Sequence, residues 1–327
     1  MKKWISAIGA AVLALSMTAC ASNTPATSTA TSADGSYRVG VIQLVQHVAL
    51  DAATEGFQDA LKDKLGDKVS FDVQNASGDS ATCATIANSF VSNNVDLIMA
   101  NATPALQAAC ASTDQIPILG TSVTDYATAL EIDNWDGTVG KNVSGTSDLA
   151  PLDQQAACLH EIFPDAKTIG VLYCSAEPNS AYQAAAITQY LEEMGLTVKD
   201  YSFSDSNDLS GVCTTACGEV DALYIPTDNT AANNTELINN IATPAGTPIF
   251  CGEEGICKGC GVATLSIDYY ALGYTTGEMA YEVLANGKDI STMPVEYAPS
   301  FAKEYMPDRA AALGITVPDD YAAIEAE

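Results

Sequence analysis

Short apolar runs alternate with longer segments of mixed pattern along most of the chain. Arg38-Val39-Gly40-Val41-Ile42-Gln43-Leu44 reads as a short, buried strand. Leu50, Ala53, Phe57, Leu61 and Leu65 then recur every three or four residues, the spacing that keeps one helix face apolar. The series continues with a strand over 69–73, a helix over 81–91, a strand over 95–100, a helix over 105–111 and a strand over 116–120. It restarts with a strand over 168–173, a helix over 181–194 and strands near 196–203 and over 220–225, then a helix over 231–242 and a strand over 247–251. Strands separated by helices of this length predict parallel sheets built from βαβ units.

The series echoes itself. Val95-Asp96 opens one strand and Thr103 follows eight residues after Val95; Val220-Asp221 opens another and Asp228 follows eight residues after Val220. Each is succeeded by a helix and then by an Ile-Pro-Ile or Thr-Pro-Ile strand. Two similar doubly wound, Rossmann-like halves leave a cleft between them, and ligands of such sheets bind beyond the carboxyl ends of the strands.

The N-terminus carries a different pattern. Lys2 and Lys3 precede an apolar run from Trp4 to Met17, too short to span a bilayer comfortably and of signal-peptide length. It ends in Met17-Thr18-Ala19-Cys20, which resembles a bacterial lipobox and makes Cys20 the expected lipidation site; the alternative is an ordinary secretory signal that leaves Cys20 a plain thiol. Residues 1–20 are therefore expected to be a signal peptide, and the small, polar residues 21–36 a flexible tether. The body is expected outside the cytoplasm, lipid-anchored to the cell membrane.

Charge narrows the partners. Lys and Arg number 13 against 41 Asp and Glu, a formal net charge of -28. Such an excess opposes binding to nucleic acid, whose affinity comes from Lys and Arg on phosphate, and opposes adhesion to anionic lipid. It reads as a solvated, solubilising surface. Ten cysteines are present, and removing Cys20 leaves an odd number. Cys213 with Cys217, Cys257 with Cys260 and Cys83 with Cys110 are candidate disulfides; buried, inert thiols are the alternative. A zinc site at Cys251, Cys257 and Cys260 lacks a fourth ligand, since His47 and His160 are far away in sequence. Neither a metal nor a cofactor is expected.

Several segments resemble one known family. They are Gly40 to His47 with Ala49-Leu50-Asp51, Ala102-Thr103-Pro104-Ala105, Ile225-Pro226-Thr227-Asp228-Asn229-Thr230, Ile267 to Gly273, and Met293-Pro294-Val295-Glu296-Tyr297. In this order they are similar to the substrate-binding proteins of ABC transporters, among which are tryptophan- and tyrosine-binding lipoproteins. The resemblance runs from about Tyr37 to Pro318; the cysteine-rich stretches and Cys251-Gly252-Glu253-Glu254-Gly255 depart from it. It implies a two-lobe periplasmic-binding-protein type I fold with three hinge crossovers. Lobe one would hold 37–147 and 265–293, and lobe two 148–264 and 294–327. It also implies capture of a small ligand, best an aromatic amino acid, by a monomer that serves a membrane permease.

An amino acid offers a carboxylate, an ammonium and a side chain. Thr103, before the favoured first helical residue Pro104, can cap a helix and hold a carboxylate there, with Ser122 and Thr124 completing the anion site. Asp228 and Asp268 are candidate partners of the ammonium; Asp228 can also cap a helix, and Asp268 can orient a hinge. Asn179 and Ser180 resemble family positions that reach the ligand from lobe two, and Gln43 and His47 can line the side-chain pocket. Tyr126, Tyr182, Tyr269 and Tyr270 offer rings for stacking, a role that core packing explains as well. The chain has no HExxH, phosphate loop or recognisable Ser-His-Asp spacing, which argues against an enzyme. The remaining alternatives are a sensor that presents its ligand to a receptor and a binder of a different small solute.

Overall fold

The structure is a computed structural model that describes residues 35–298 and 300–325. The expected signal segment 1–20 with Cys20, and almost all of the tether, lie outside the described residues. Among the described residues no helix is long and apolar enough to cross a membrane.

The first sheet grows from β1 (Tyr37–Gln43), α1 (Val48–Leu65), β2 (Val69–Asn75), α2 (Ser80–Ser92), β3 (Leu97–Asn101), α3 (Thr103–Ser112), β4 (Ile118–Thr121), α4 (Tyr126–Ala129) and β5 (Val143–Ser147). The second begins with α5 (Leu152–Ile162), β6 (Thr168–Cys174), α6 (Pro178–Glu193), β7 (Thr197–Phe203), α7 (Ser206–Cys217) and β8 (Ala222–Ile225). It continues through α8 (Asn229–Ala232), α9 (Thr235–Ala245), β9 (Ile249–Cys251), α10 (Glu254–Cys260) and β10 (Ala263–Ser266). The chain then returns to the first body with α11 (Tyr269–Leu284) and β11 (Glu296–Tyr297), and finishes in the second with β12 (Ala302–Tyr305), α12 (Pro307–Ala312) and β13 (Ala322–Ala323).

Strand order is β11-β5-β4-β3-β1-β2 in a six-stranded sheet and β13-β12-β10-β9-β8-β6-β7 in a seven-stranded one. Pairing is parallel except between β10 and β12. The expected two-lobe, doubly wound architecture is therefore present, and the chain passes between the bodies after Ser147, Ser266 and Tyr297. Two expected boundaries move. β10 pairs with β9, so Leu265 and Ser266 belong to the second body, and β11 pairs with β5, so Glu296 and Tyr297 belong to the first.

Register brings the strand ends level. Gln43 faces Asn101 and Asn101 faces Thr121 across three neighbouring strands, while Ile225 faces Cys251 and Cys251 faces Thr264 in the other sheet. The loops that leave these strands therefore emerge along one edge of each sheet. Apolar clusters fill both faces of both sheets: Ile42, Phe90, Ile98 and Tyr126 on one side of the first, Val41, Phe57, Leu97 and Met99 on the other. The second sheet is sandwiched in the same way, with Leu172, Phe203 and Ile225 opposite Val171, Tyr224 and Phe250.

α11 packs on α1, β4 and β5, and glycine permits the approach. A Cβ on Gly273 would lie 2.0 Å from the Ala53 carbonyl oxygen, and one on Gly56 2.1 Å from that of Tyr270. The nine described cysteines are free thiols, so the three expected disulfides are absent. Cys213 and Cys217 share α7, and Cys257 and Cys260 share α10; all four pack into the apolar core of the second body.

Candidate functional site

The loops beyond the carboxyl ends of β1, β4, β6, β8 and β9 meet, with the first and second passages, at one cleft between the bodies. From the first body come His47, Ala49, Leu50, Ser122 and Thr124, with Tyr269 at the start of α11 and Asp148 at the first passage. Asn179, Thr227, Asp228, Asn229, Ala232 and Glu253 face them from the second.

On the first side, His47 occupies the position before α1. Its Nε2 lies 3.3 Å from Asn229 Oδ1 across the cleft, and its Nδ1 is buried without a partner. Burial lowers its pKa below the ordinary value. Ser122 has a left-handed backbone, φ 54°, and a buried Oγ that also lacks a partner. Thr124 donates to Asp148 Oδ1 at 3.0 Å, and Tyr269 donates to Asp148 Oδ2 at 2.9 Å. Enclosure raises the Asp148 carboxyl above its usual range despite these donors.

On the second side, Asp228 caps α8. Its Oδ1 accepts from Ala231 N at 2.7 Å and its Oδ2 from Cys174 N at 2.6 Å. Burial, reinforced by the charge of Glu177, pushes its pKa up to about 7. Glu253 caps α10 through the backbone N–H groups of Gly255 and Ile256, and burial pushes it up to about 7 as well. The Asn179 amide donates to Thr227 O at 3.1 Å, leaving its Oδ1 buried and unpartnered.

Of the expected site residues, His47, Ser122, Thr124, Asn179 and Asp228 line the cleft. Ser180 is buried beneath them, with its Oγ 3.5 Å from Thr227 O. Gln43 and Asp268 do not line it. The Gln43 amide is held inside the first body by Val45 O, Asp51 and Thr54. Asp268 is exposed and caps α11 through Ala271 N at 2.9 Å. Thr103 is also corrected in its role: Ala102, at φ 91°, holds the cap position, and the Thr103 hydroxyl is buried inside the first turn without a partner.

Sequence reasoning missed Asp148, Thr227 and Glu253. Asp148 follows β5, whose Val-Ser-Gly-Thr-Ser sequence has almost no apolar signal. Glu253 lies two residues beyond β9 and caps the helix that follows, much as Asp228 lies three beyond β8 and caps α8, and that was the available clue.

The cleft is shut tightly. Its open volume is about 20 Å³, room for about one water, so a larger ligand enters only if the walls part. A chamber of about 250 Å³ adjoins it at Asn229, with Leu44, Val45 and Pro104 on one wall and Glu177 on another. Chemically, the cleft combines carboxylates at Asp148, Asp228 and Glu253 with neutral donors and acceptors, and among the described residues no Lys or Arg lines it.

A family model for ABC transporter substrate binding proteins matches residues 38–326. The chain belongs to that family. This substrate-binding protein is 37% identical over 302 residues to a tyrosine-binding protein of Clostridioides difficile strain R20291, covering 90% of this chain and 87% of that one. It is 32% identical to an ABC domain from Streptococcus pneumoniae solved in complex with L-Trp, with a TM-score of 0.83 over 87% of this chain and 96% of the other. Against the ligand-free, open structure of a substrate-binding protein from Clostridium difficile, 36% identical, the TM-score is 0.68 over 89% of this chain and all of that one. The architecture is the periplasmic-binding-protein type I fold.

Proposed function

We propose that this substrate-binding protein captures an aromatic L-amino acid (tyrosine, tryptophan or phenylalanine) in the interlobe cleft and delivers it to an ABC permease. The observation that carries the reading is a convergence of unsatisfied groups. Ser122 Oγ, Asn179 Oδ1 and His47 Nδ1, all buried without partners, line one cleft with Asp148, Asp228 and Glu253. Buried polar groups ordinarily have hydrogen-bond partners, so such a cluster fits a ligand that supplies them. An ammonium suits the carboxylates and Asn179 Oδ1. A carboxylate suits Ser122 Oγ; Thr103, buried at the start of α3, does not line the cleft. The apolar wall at Leu44, Val45 and Pro104 gives the aromatic side chain a place to extend.

The ligands named for the relatives, tyrosine and L-Trp, support the choice. The TM-scores support a trap that closes, since the L-Trp complex matches at 0.83 and the open, ligand-free relative at 0.68 despite its higher identity. In this reading the passages after Ser147, Ser266 and Tyr297 act as hinges. Ligand contacts to both bodies favour the closed form by differential affinity. The protein works as a monomer outside the cytoplasm, held to the membrane through lipid on Cys20.

A thermal-shift screen of the protein against free amino acids, nucleosides and sugars tests the reading, because a ligand selective for the native state raises the melting temperature. A shift confined to aromatic amino acids is expected. A flat response to them with a shift elsewhere would overturn the ligand while keeping the binding role.

A further inference from the structure

The cleft is backed by an unbroken chain of buried hydrogen bonds that runs from one body to the other. It starts at Thr227, beside Asp228. The Gln183 side chain, on α6, accepts from Thr227 N at 3.3 Å and donates to the Thr227 hydroxyl. The same amide reaches across to the first body, donating to Thr124 Oγ1 at 3.2 Å. The Thr124 hydroxyl donates its one hydrogen bond to Asp148 Oδ1 at 3.0 Å, and Asp148 Oδ2 accepts from the Tyr269 hydroxyl at 2.9 Å. Asp148 starts the first passage between the bodies, and Tyr269 ends the second. The members are 8%, 1%, 2%, 5% and 7% exposed in that order, so water does not compete for the contacts.

Direction matters in this chain. With its O–H directed to Asp148, Thr124 can only accept from Gln183, and the glutamine amide is the group that supplies the N–H. Thr124 and Asp148 stay close whatever the cleft does, because both sit at the carboxyl edge of the first sheet. Gln183 and Thr227 stay close because both sit in the second body. The link between Gln183 and Thr124 is the one that parting of the bodies breaks.

We propose that Gln183 is a positioning residue that couples ligand capture to closure: its amide holds the Thr227–Asp228 loop and, once the cleft shuts, engages Thr124 and through it the two passages. This rests on the proposed binding function of the cleft. Gln183 lines neither the cleft nor the adjoining chamber, so it acts through Thr227 and Thr124 rather than on the ligand.

The test is a double-mutant cycle on the full chain with Gln183→Leu and Thr124→Val, read by stopped-flow dissociation of L-tyrosine and by small-angle scattering with and without it. Gln183→Leu should speed dissociation about tenfold, the effect of losing a buried hydrogen bond at closure, with little change in association rate. The double variant should dissociate no faster than the faster single variant. Gln183→Glu, which keeps the acceptor for Thr227 N but loses the donor to Thr124, should behave like Gln183→Leu. Independent losses that multiply in the double variant, or a lower melting temperature with unchanged dissociation, would make Gln183 a brace within one body and overturn the proposal. Should the wild type fail to bind L-tyrosine, the functional reading falls, but scattering still decides this one. Ligand-free Gln183→Leu should be more expanded than wild type, and identical profiles would contradict the coupling.

Discussion

Asp228 and Glu253 keep their protons to about pH 7 because burial penalises the charged form. In the unfolded chain such groups release protons near pH 4. Between those values the folded, ligand-free protein binds protons that the unfolded chain has lost, so its stability falls as pH rises. An ammonium ligand requires the ionised carboxylates, so affinity should rise through the same window. Melting temperatures at pH 5 and pH 8 separate the two trends: the ligand-free value should be lower at pH 8, and the ligand-induced increment larger. Trends of the same sign would contradict the charge assignment. Ser122→Ala separates binding from folding in another way. The hydroxyl has no partner in the protein, so its loss should leave the melting temperature unchanged or raised while weakening ligand binding about tenfold. Asp228→Asn replaces an acceptor that serves Cys174 N and Ala231 N, and should lower both affinity and stability. Calorimetric titration and thermal melting of each variant check these outcomes.

Among the elements, the α1–α11 seam is the least forgiving. Gly273→Ala would set a methyl group 2.0 Å from a backbone oxygen of α1, and backbone cannot yield as a side-chain tip can. A loss of about 1–3 kcal/mol in unfolding free energy is expected, measured by denaturant titration. That seam also marks where sequence reading stops. α1 was legible because Leu50, Phe57 and Leu61 recur at helical spacing and face the core. α11 buries Leu272, Met279 and Val283 at helical spacing, but Gly273, Thr276 and Gly277 interrupt that face where it meets α1, and the small residues weaken the pattern. β5 is hidden for the same reason: a Cβ on Gly145 would collide with Gly120 O at 2.1 Å, so the strand is made of small residues. The site divides along this line. Asp228 stood out because a strong apolar strand precedes it, whereas Asp148 follows a strand without one. Asp268 looked equivalent from its place in the chain, but its carboxylate turns to the N-terminus of its own helix.

For the whole molecule, strand–helix alternation was enough to predict two parallel sheets, because each strand buried on both faces is a continuous apolar run. Alternation did not fix where the chain changes body. Those passages depend on which edge strand pairs with which neighbour, and β11 is only two residues long. Polar contacts join the two bodies, His47 with Asn229 and Gln183 with Thr124. Polar contacts of this kind suit bodies that part and rejoin, since both sides are readily hydrated when open.

The central claim is that the cleft recognises both charged ends of an amino acid. Calorimetric titration of the protein with L-tyrosine, with tyramine, which lacks the carboxylate, and with 3-(4-hydroxyphenyl)propionate, which lacks the ammonium, tests it most directly. The account predicts one L-tyrosine per chain and about 100-fold weaker binding of either analogue, because each leaves buried polar groups without a partner. Equal affinity for an analogue, or no heat with L-tyrosine, L-tryptophan and L-phenylalanine alike, would contradict it.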